Sequence, residues 1–106
     1  MMEDGYPVTT GHTLIIPKRC VTDFALLTDE ELIDAWELVR NRKAQLAQDD
    51  PSINGFNLGI NLGESAGQTV SHCHIHLIPR RSGDTDDPTG GVRGVIPGKA
   101  NYKQSC

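Results

Sequence analysis

The chain has 106 residues, near the commonest size of a single domain, so a second hydrophobic core is excluded. Hydrophobic residues make up 37% and charged residues 23%, which gives enough Leu, Ile and Val for one globular core and argues against wholesale disorder. Ten Lys plus Arg against 14 Asp plus Glu leave a net charge of -4 with no dense basic run, so neither polymeric nucleic acid nor an anionic membrane is the expected partner.

At the start, Met1-Met2-Glu3-Asp4 lacks a basic region followed by an apolar one, and no apolar run approaches the roughly 20 residues that span a bilayer. A soluble cytoplasmic protein is expected. His12 to Ile16 is a short β-branched and aliphatic run closed by Pro17, which predicts a strand. Cys20, Cys73 and Cys106 are an odd set without a CxxC pair, so reduced thiols are expected in place of a disulfide scaffold or a four-cysteine zinc knuckle.

Thr28-Asp29-Glu30-Glu31 reads as a capping box with acids in the first turn, so a helix starts at Thr28. Leu32, Ala35, Trp36, Val39 and Leu46 keep one face apolar, and the helix is expected to run to about Gln48, before Asp49-Asp50-Pro51. Phe56 to Leu62 alternates apolar with small or polar residues, as a half-buried strand does. After the small-residue loop from Gly63 to Gln68, Val70 to Ile78 reads as a further strand ended by Pro79, antiparallel to the one before. The stretch from Arg80 to Gly91 is polar and turn-rich, and Val92 to Pro97 is a weak extended segment. The expected fold is α+β, an antiparallel sheet of four or five strands with one main helix packed on it.

Three of the four histidines fall within His72-Cys73-His74-Ile75-His76. On a strand, alternate side chains share a face, so the three imidazoles point one way, about 6.6 Å apart over a row of about 13 Å. That length suits a polyphosphate. Cys73, Ile75 and Leu77 take the opposite, dry face. Imidazole near neutral pH can be a nucleophile, a proton donor or a cation, so three in a row can divide those roles. A His-x-His pair could instead hold a metal ion with a third ligand from His12, Cys20 or Cys106, but no carboxylate or thiol accompanies the motif at a recurring ligand spacing, and no metal ligand is assigned.

His72-Cys73-His74-Ile75-His76-Leu77-Ile78 resembles the His-φ-His-φ-His-φ-φ signature of the histidine triad (HIT) family of nucleotide hydrolases and transferases. The surroundings are also similar: Gly11 to Lys18 resembles the family's first conserved strand, Gly67-Gln68-Thr69-Val70 its lead-in and Pro79-Arg80 its exit. Gly90 to Pro97 is similar to the tail of HIT hydrolases described as diadenosine tetraphosphatase-like. The resemblance implies that His74 attacks the α-phosphorus of a nucleotide, most readily a dinucleoside polyphosphate, to give a nucleotidyl-histidine that water hydrolyses. It implies that His74 donates its other ring N–H to the His72 carbonyl, that His76 bonds phosphate oxygens or the leaving group, and that His72 completes the network. It places Asn61, Gln68 and Thr69 at the phosphates and Asp4 at the ribose, and gives His12 a packing or hydrogen-bonding role.

The resemblance further implies a homodimer and a small-molecule nucleotide as partner. No cofactor is required at the nucleophile, and a divalent ion accompanying the substrate is compatible with it. A nucleoside phosphoramidase, or a silent nucleotide- or zinc-binding module, are the alternatives. Two departures stand out. Cys20 follows Lys18-Arg19 where most relatives carry a histidine. Only Met1-Met2-Glu3 precedes the segment matching Asp4 to Thr10, so one domain over 1–106 is expected, with the family's N-terminal strand and helix shortened or missing.

Overall fold

In the computed structural model, residues 1–101 are described. Four strands form one antiparallel sheet: β1 (Met2–Glu3), β2 (Thr13–Ile15), β3 (Ile53–Gly59) and β4 (Ile75–Arg81), in the order β1-β2-β4-β3. One helix, α1 (Asp29–Asp49), packs on a single face of it. Sheet and helix meet in a core of Ile15, Val39, Leu46, Ile53, Ile75 and Leu77. No helix among the described residues is long and apolar enough to cross a membrane.

The capping box forms as the residues dictate. Thr28 Oγ1 accepts from the Glu31 backbone N–H at 3.1 Å, and Glu31 Oε1 accepts from the Thr28 N–H at 2.9 Å. The helix closes with the Asp50 N–H donating to the Leu46 carbonyl, one residue before Pro51. Its apolar face is only half used: Val39 and Leu46 are buried, whereas Leu32 and Trp36, expected on the same face, are 45% and 54% exposed. Within one chain the sheet covers the C-terminal half of α1 and leaves the N-terminal half open.

Both long strands are displaced from the expected ranges. β3 begins at Ile53, three residues before Phe56, because the helix-to-strand turn is tight. The Ile53 N–H donates to the Asp50 carbonyl, and Ser52 bonds the Asp50 carboxylate through its N–H and hydroxyl. β3 stops at Gly59, opposite His76, so Asn61 lies beyond the ladder.

β4 begins at Ile75, not Val70, and runs through Pro79 to Arg81. Proline is tolerated there because β2 has already run out. The Pro79 carbonyl accepts the Thr9 hydroxyl, and the backbone nitrogen on that same side had no ladder bond to lose. Upstream, the Cys73 N–H donates to the Val21 carbonyl at 2.7 Å, while His72 lies in a bend and His74 just ahead of the strand. Finally, Gly91–Val95 forms a 3-10 turn where a weak extended segment was expected.

Candidate active site

Strand alternation splits β2 and β4 into two sets. Thr13, Ile15, Ile75 and Leu77 turn toward the helix and are buried. Leu14, Ile16, His72, His74 and His76 line a hollow of about 370 Å³ on the opposite face, together with Asp4, Tyr6, Asn61, Gly67, Thr69 and Val70. A larger hollow of about 590 Å³ opens between α1 and the Ile15–Arg19 segment, but it reaches only His74 among the histidines, so it offers no second imidazole.

The register places the rings. Leu14 stands opposite His76, so His12 is the diagonal neighbour of His76, within reach of an aromatic side chain. Their ring centroids are 5.2 Å apart, and those of His74 and His76 are 4.9 Å apart in an edge-to-face arrangement. Asp4 extends β1 by one more bond, its N–H donating to the His12 carbonyl at 2.9 Å, which sets its carboxylate beside His12.

Backbone partners assign the tautomers, since a carbonyl oxygen can only accept and an amide N–H can only donate. His74 Nδ1–H donates to the His72 carbonyl at 3.0 Å, which leaves Nε2 with a free lone pair. His72 Nε2–H donates to the Pro17 carbonyl at 2.7 Å. His12 Nδ1 accepts from the Val8 N–H at 3.2 Å, so its proton sits on Nε2. That Nε2–H donates to His76 Nδ1 at 2.9 Å, with Asp4 Oδ2 also 3.4 Å away. His76 therefore carries its own proton on Nε2. Burial, then the rings of His74 and His12, hold His76 below its usual pKa against the opposing pull of Asp4, which keeps the ring neutral near pH 7.

His12 is thus a residue that sequence reasoning underused. Its hydrogen-bonding role was legible, but its partner was not, because the 64 residues separating it from His76 are bridged only by the sheet register. Asn61, Thr69 and Asp4 line the hollow as well. Gln68 does not. Its amide is spent fastening the loop: Oε1 accepts from the Gly63 N–H, and Nε2 donates to the Thr22 and Val70 carbonyls. Next to it Gly67 adopts φ +91°, a left-handed conformation that suits glycine, and turns the chain back toward the histidines.

Arg80 and Arg81, at the exit of β4, are engaged in scaffold pairs with Asp84 and Asp50. Cys73 is buried on the dry side, and burial pushes its thiol pKa up, which disfavours the thiolate. Cys20 is exposed, and Cys106 lies outside the described residues.

Three imidazoles lining one hollow, one with a bare nitrogen and the next with a proton to donate, form the arrangement for which comparison with known proteins is most telling. The HIT domain matches residues 1–83. The chain belongs to the HIT family. It is 41% identical over 81 residues to the bis(5'-adenosyl)-triphosphatase of Dictyostelium discoideum, covering 76% of this chain and 54% of that protein. It is 42% identical over 78 residues to the asymmetrical bis(5'-nucleosyl)-tetraphosphatase of Schizosaccharomyces pombe, covering 74% and 42%. The crystal structure of the Caenorhabditis elegans NitFhit protein superposes with a TM-score of 0.71 at 39% identity, over 77% of this chain and 20% of that one. This HIT chain spans about half the length of the first two. Its fold is that of its HIT relatives: one main helix on a four-stranded antiparallel sheet.

Proposed function

We propose that this chain cleaves a dinucleoside polyphosphate, or a related nucleotidyl ester, at the α-phosphorus through a covalent nucleotidyl-His74. One observation supports this above all: His74 gives its Nδ1 proton to the His72 carbonyl, and its ring lines the hollow with the Nε2 lone pair free. The nucleophile needs no metal ion for activation, because its tautomer already supplies the lone pair. In the first step the His74 Nε2–P bond forms and the P–O bond to the leaving phosphate breaks. His76, with its proton on Nε2, hydrogen-bonds the oxygen on which charge grows, an effect typically worth about 3 kcal/mol per donor. In the second step water attacks the same phosphorus, releasing the mononucleotide and restoring His74.

In this reading His72 holds the segment to Pro17, Asn61 and Thr69 meet the phosphate oxygens, and Asp4 receives the ribose hydroxyls over the apolar floor of Leu14 and Ile16. Gln68 keeps the loop in shape and does not touch substrate through its side chain. The names of the relatives, a triphosphatase and a tetraphosphatase of dinucleosides, favour the polyphosphate class over phosphoramidates. The protein is also expected to pair with a second copy: β3 is a sheet edge, and beside it Leu32, Trp36 and Leu58 are exposed. The free thiols of Cys20 and Cys73 suit a reducing compartment such as the cytoplasm.

The test is to quench a reaction with diadenosine tetraphosphate radiolabelled in its α-phosphates and look for label on the protein. Wild type is expected to hold acid-labile, base-stable label, as a P–N bond requires. His74→Ala should hold none and lose at least about a thousandfold in turnover while keeping its circular dichroism. A folded His74→Ala protein with full turnover would end the proposal. Relative rates on an adenylyl-lysine type substrate and on diadenosine tetraphosphate separate phosphoramidase from polyphosphate hydrolase.

A further inference from the structure

Asp4, His12 and His76 come from three neighbouring strands or their extensions, yet their donor atoms all lie within 4.8 Å of one another. His12 Nε2 is 2.9 Å from His76 Nδ1 and 3.4 Å from Asp4 Oδ2. Donors around a tetrahedral ion at about 2.0–2.1 Å stand about 3.3 Å apart, so small rotations of the rings and the carboxylate bring all three to one centre. We propose that these three residues bind a single Zn²⁺ ion, with its remaining coordination position open to the hollow.

The donor set selects the ion class. Two imidazole nitrogens and one carboxylate oxygen suit zinc and neighbouring transition ions, whereas Mg²⁺ and Ca²⁺ take oxygen ligands. His12, 3% exposed, is held at the back of the site by the surrounding sheet. Asp4 and His76 face the hollow, through which the ion enters.

Two of the donors are already in ligating form. His76 presents the Nδ1 lone pair, because its proton sits on Nε2, and Asp4 Oδ2 is beside it. Only His12 must change, by shifting its proton from Nε2 to Nδ1. That shift balances without net proton loss; it displaces the 3.2 Å contact from the Val8 N–H and exchanges the 2.9 Å hydrogen bond to His76 for bonds to the ion. Val8 is 67% exposed, so its amide can turn to water. The ion then occupies the place of the proton between the two rings. The hydrogen-bonded pair alone requires only His12 and His76; the carboxylate at 3.4 Å completes a three-donor site. The site shares Asp4 and His76 with the reading above, but its test is metal binding and not hydrolysis, so the two can fail separately.

The protein as it exists, freed of metal by dialysis against chelator, is titrated with Zn²⁺ by calorimetry and with Co²⁺ by visible absorption. One ion per chain is expected, with the d–d bands of a four- or five-coordinate nitrogen and oxygen site that Zn²⁺ bleaches and Mg²⁺ does not. His12→Ala and Asp4→Asn should each weaken Zn²⁺ at least about tenfold, while His72→Ala and Cys20→Ser bind as wild type. Should His12→Ala not fold, Asp4→Asn at the rim of the hollow still decides the matter. Absence of stoichiometric binding, affinity unchanged in Asp4→Asn, or loss of binding in His72→Ala or Cys20→Ser would overturn the assignment.

Discussion

The two sides of β4 differ in what holds them. Toward α1, Ile75 and Leu77 lie against Ile15, Val39, Leu46 and Ile53, with buried contact as their whole contribution. Toward the hollow, His74 and His76 stay half-buried, and each ring is fixed by a hydrogen bond: His74 to the His72 carbonyl, His76 to His12. Packing tolerates approximate shapes as long as volume is kept, but a tautomer is set by one partner at one atom. β4 and the residues leading into it therefore separate stability from chemistry residue by residue.

The largest effect expected from breaking this division is on the dry side. Leu77 is 1% exposed at the centre of the sheet, so Leu77→Ala should cost about 2–5 kcal/mol in denaturant unfolding. Hydrolysis per folded molecule should change little at temperatures well below its melting point. A Leu77→Ala protein as stable as wild type would mean that the core lies elsewhere.

The next effect is on the wet side, at a residue that does not touch the reacting atoms. Without His12, His76 Nδ1 loses its donor and the ring is free to adopt the other tautomer, which withdraws the Nε2 proton from the hollow. His12→Ala is expected to lower kcat by about 10- to 100-fold, with a smaller change in KM. His12→Gln, whose amide can donate to His76, should recover part of the rate. If both variants lose only stability and keep kcat, His12 is a packing residue and nothing more.

How far the residues announced this arrangement differs between the two sides. The capping box at Thr28 and the His72-Cys73-His74-Ile75-His76 alternation are local patterns, decided by spacing within a few residues; the box forms as read, whereas the three imidazoles share one hollow although only His76 lies within the strand. What escaped depends on distant parts of the chain. Pro79 sits inside a strand because β2 ends before reaching it, and the His12 to His76 bond exists because register makes them diagonal neighbours. Gln68 turns away from the hollow because carbonyls of Thr22 and Val70 compete for its amide. Trp36 follows helical periodicity faithfully and is still exposed, since periodicity identifies a face without saying whether this chain covers it.

The smallest effect concerns neither side of β4 but the ion pairs at the ends of the elements. The Arg19 guanidinium holds Glu31 down to about 2, and Ser52 together with Arg81 holds Asp50 down to about 2. Arg80 keeps Asp84 far below the usual carboxylate range. Because these folded-state values lie below those of the unfolded chain, the pairs stabilise the fold above the ordinary carboxylate range, near pH 4, and that contribution is lost as pH falls toward 2. All three pairs are open to solvent, so salt should weaken the effect. Urea midpoints are expected to slip slightly as pH falls through the ordinary histidine range, because His76 is held below its usual pKa, and to decline further below pH 4, with a shallower acid decline in Asp84→Asn, which has one proton fewer to take up. Equal declines in the variant and the wild type would show that acid unfolds the protein through the histidine side of the sheet and not through these pairs.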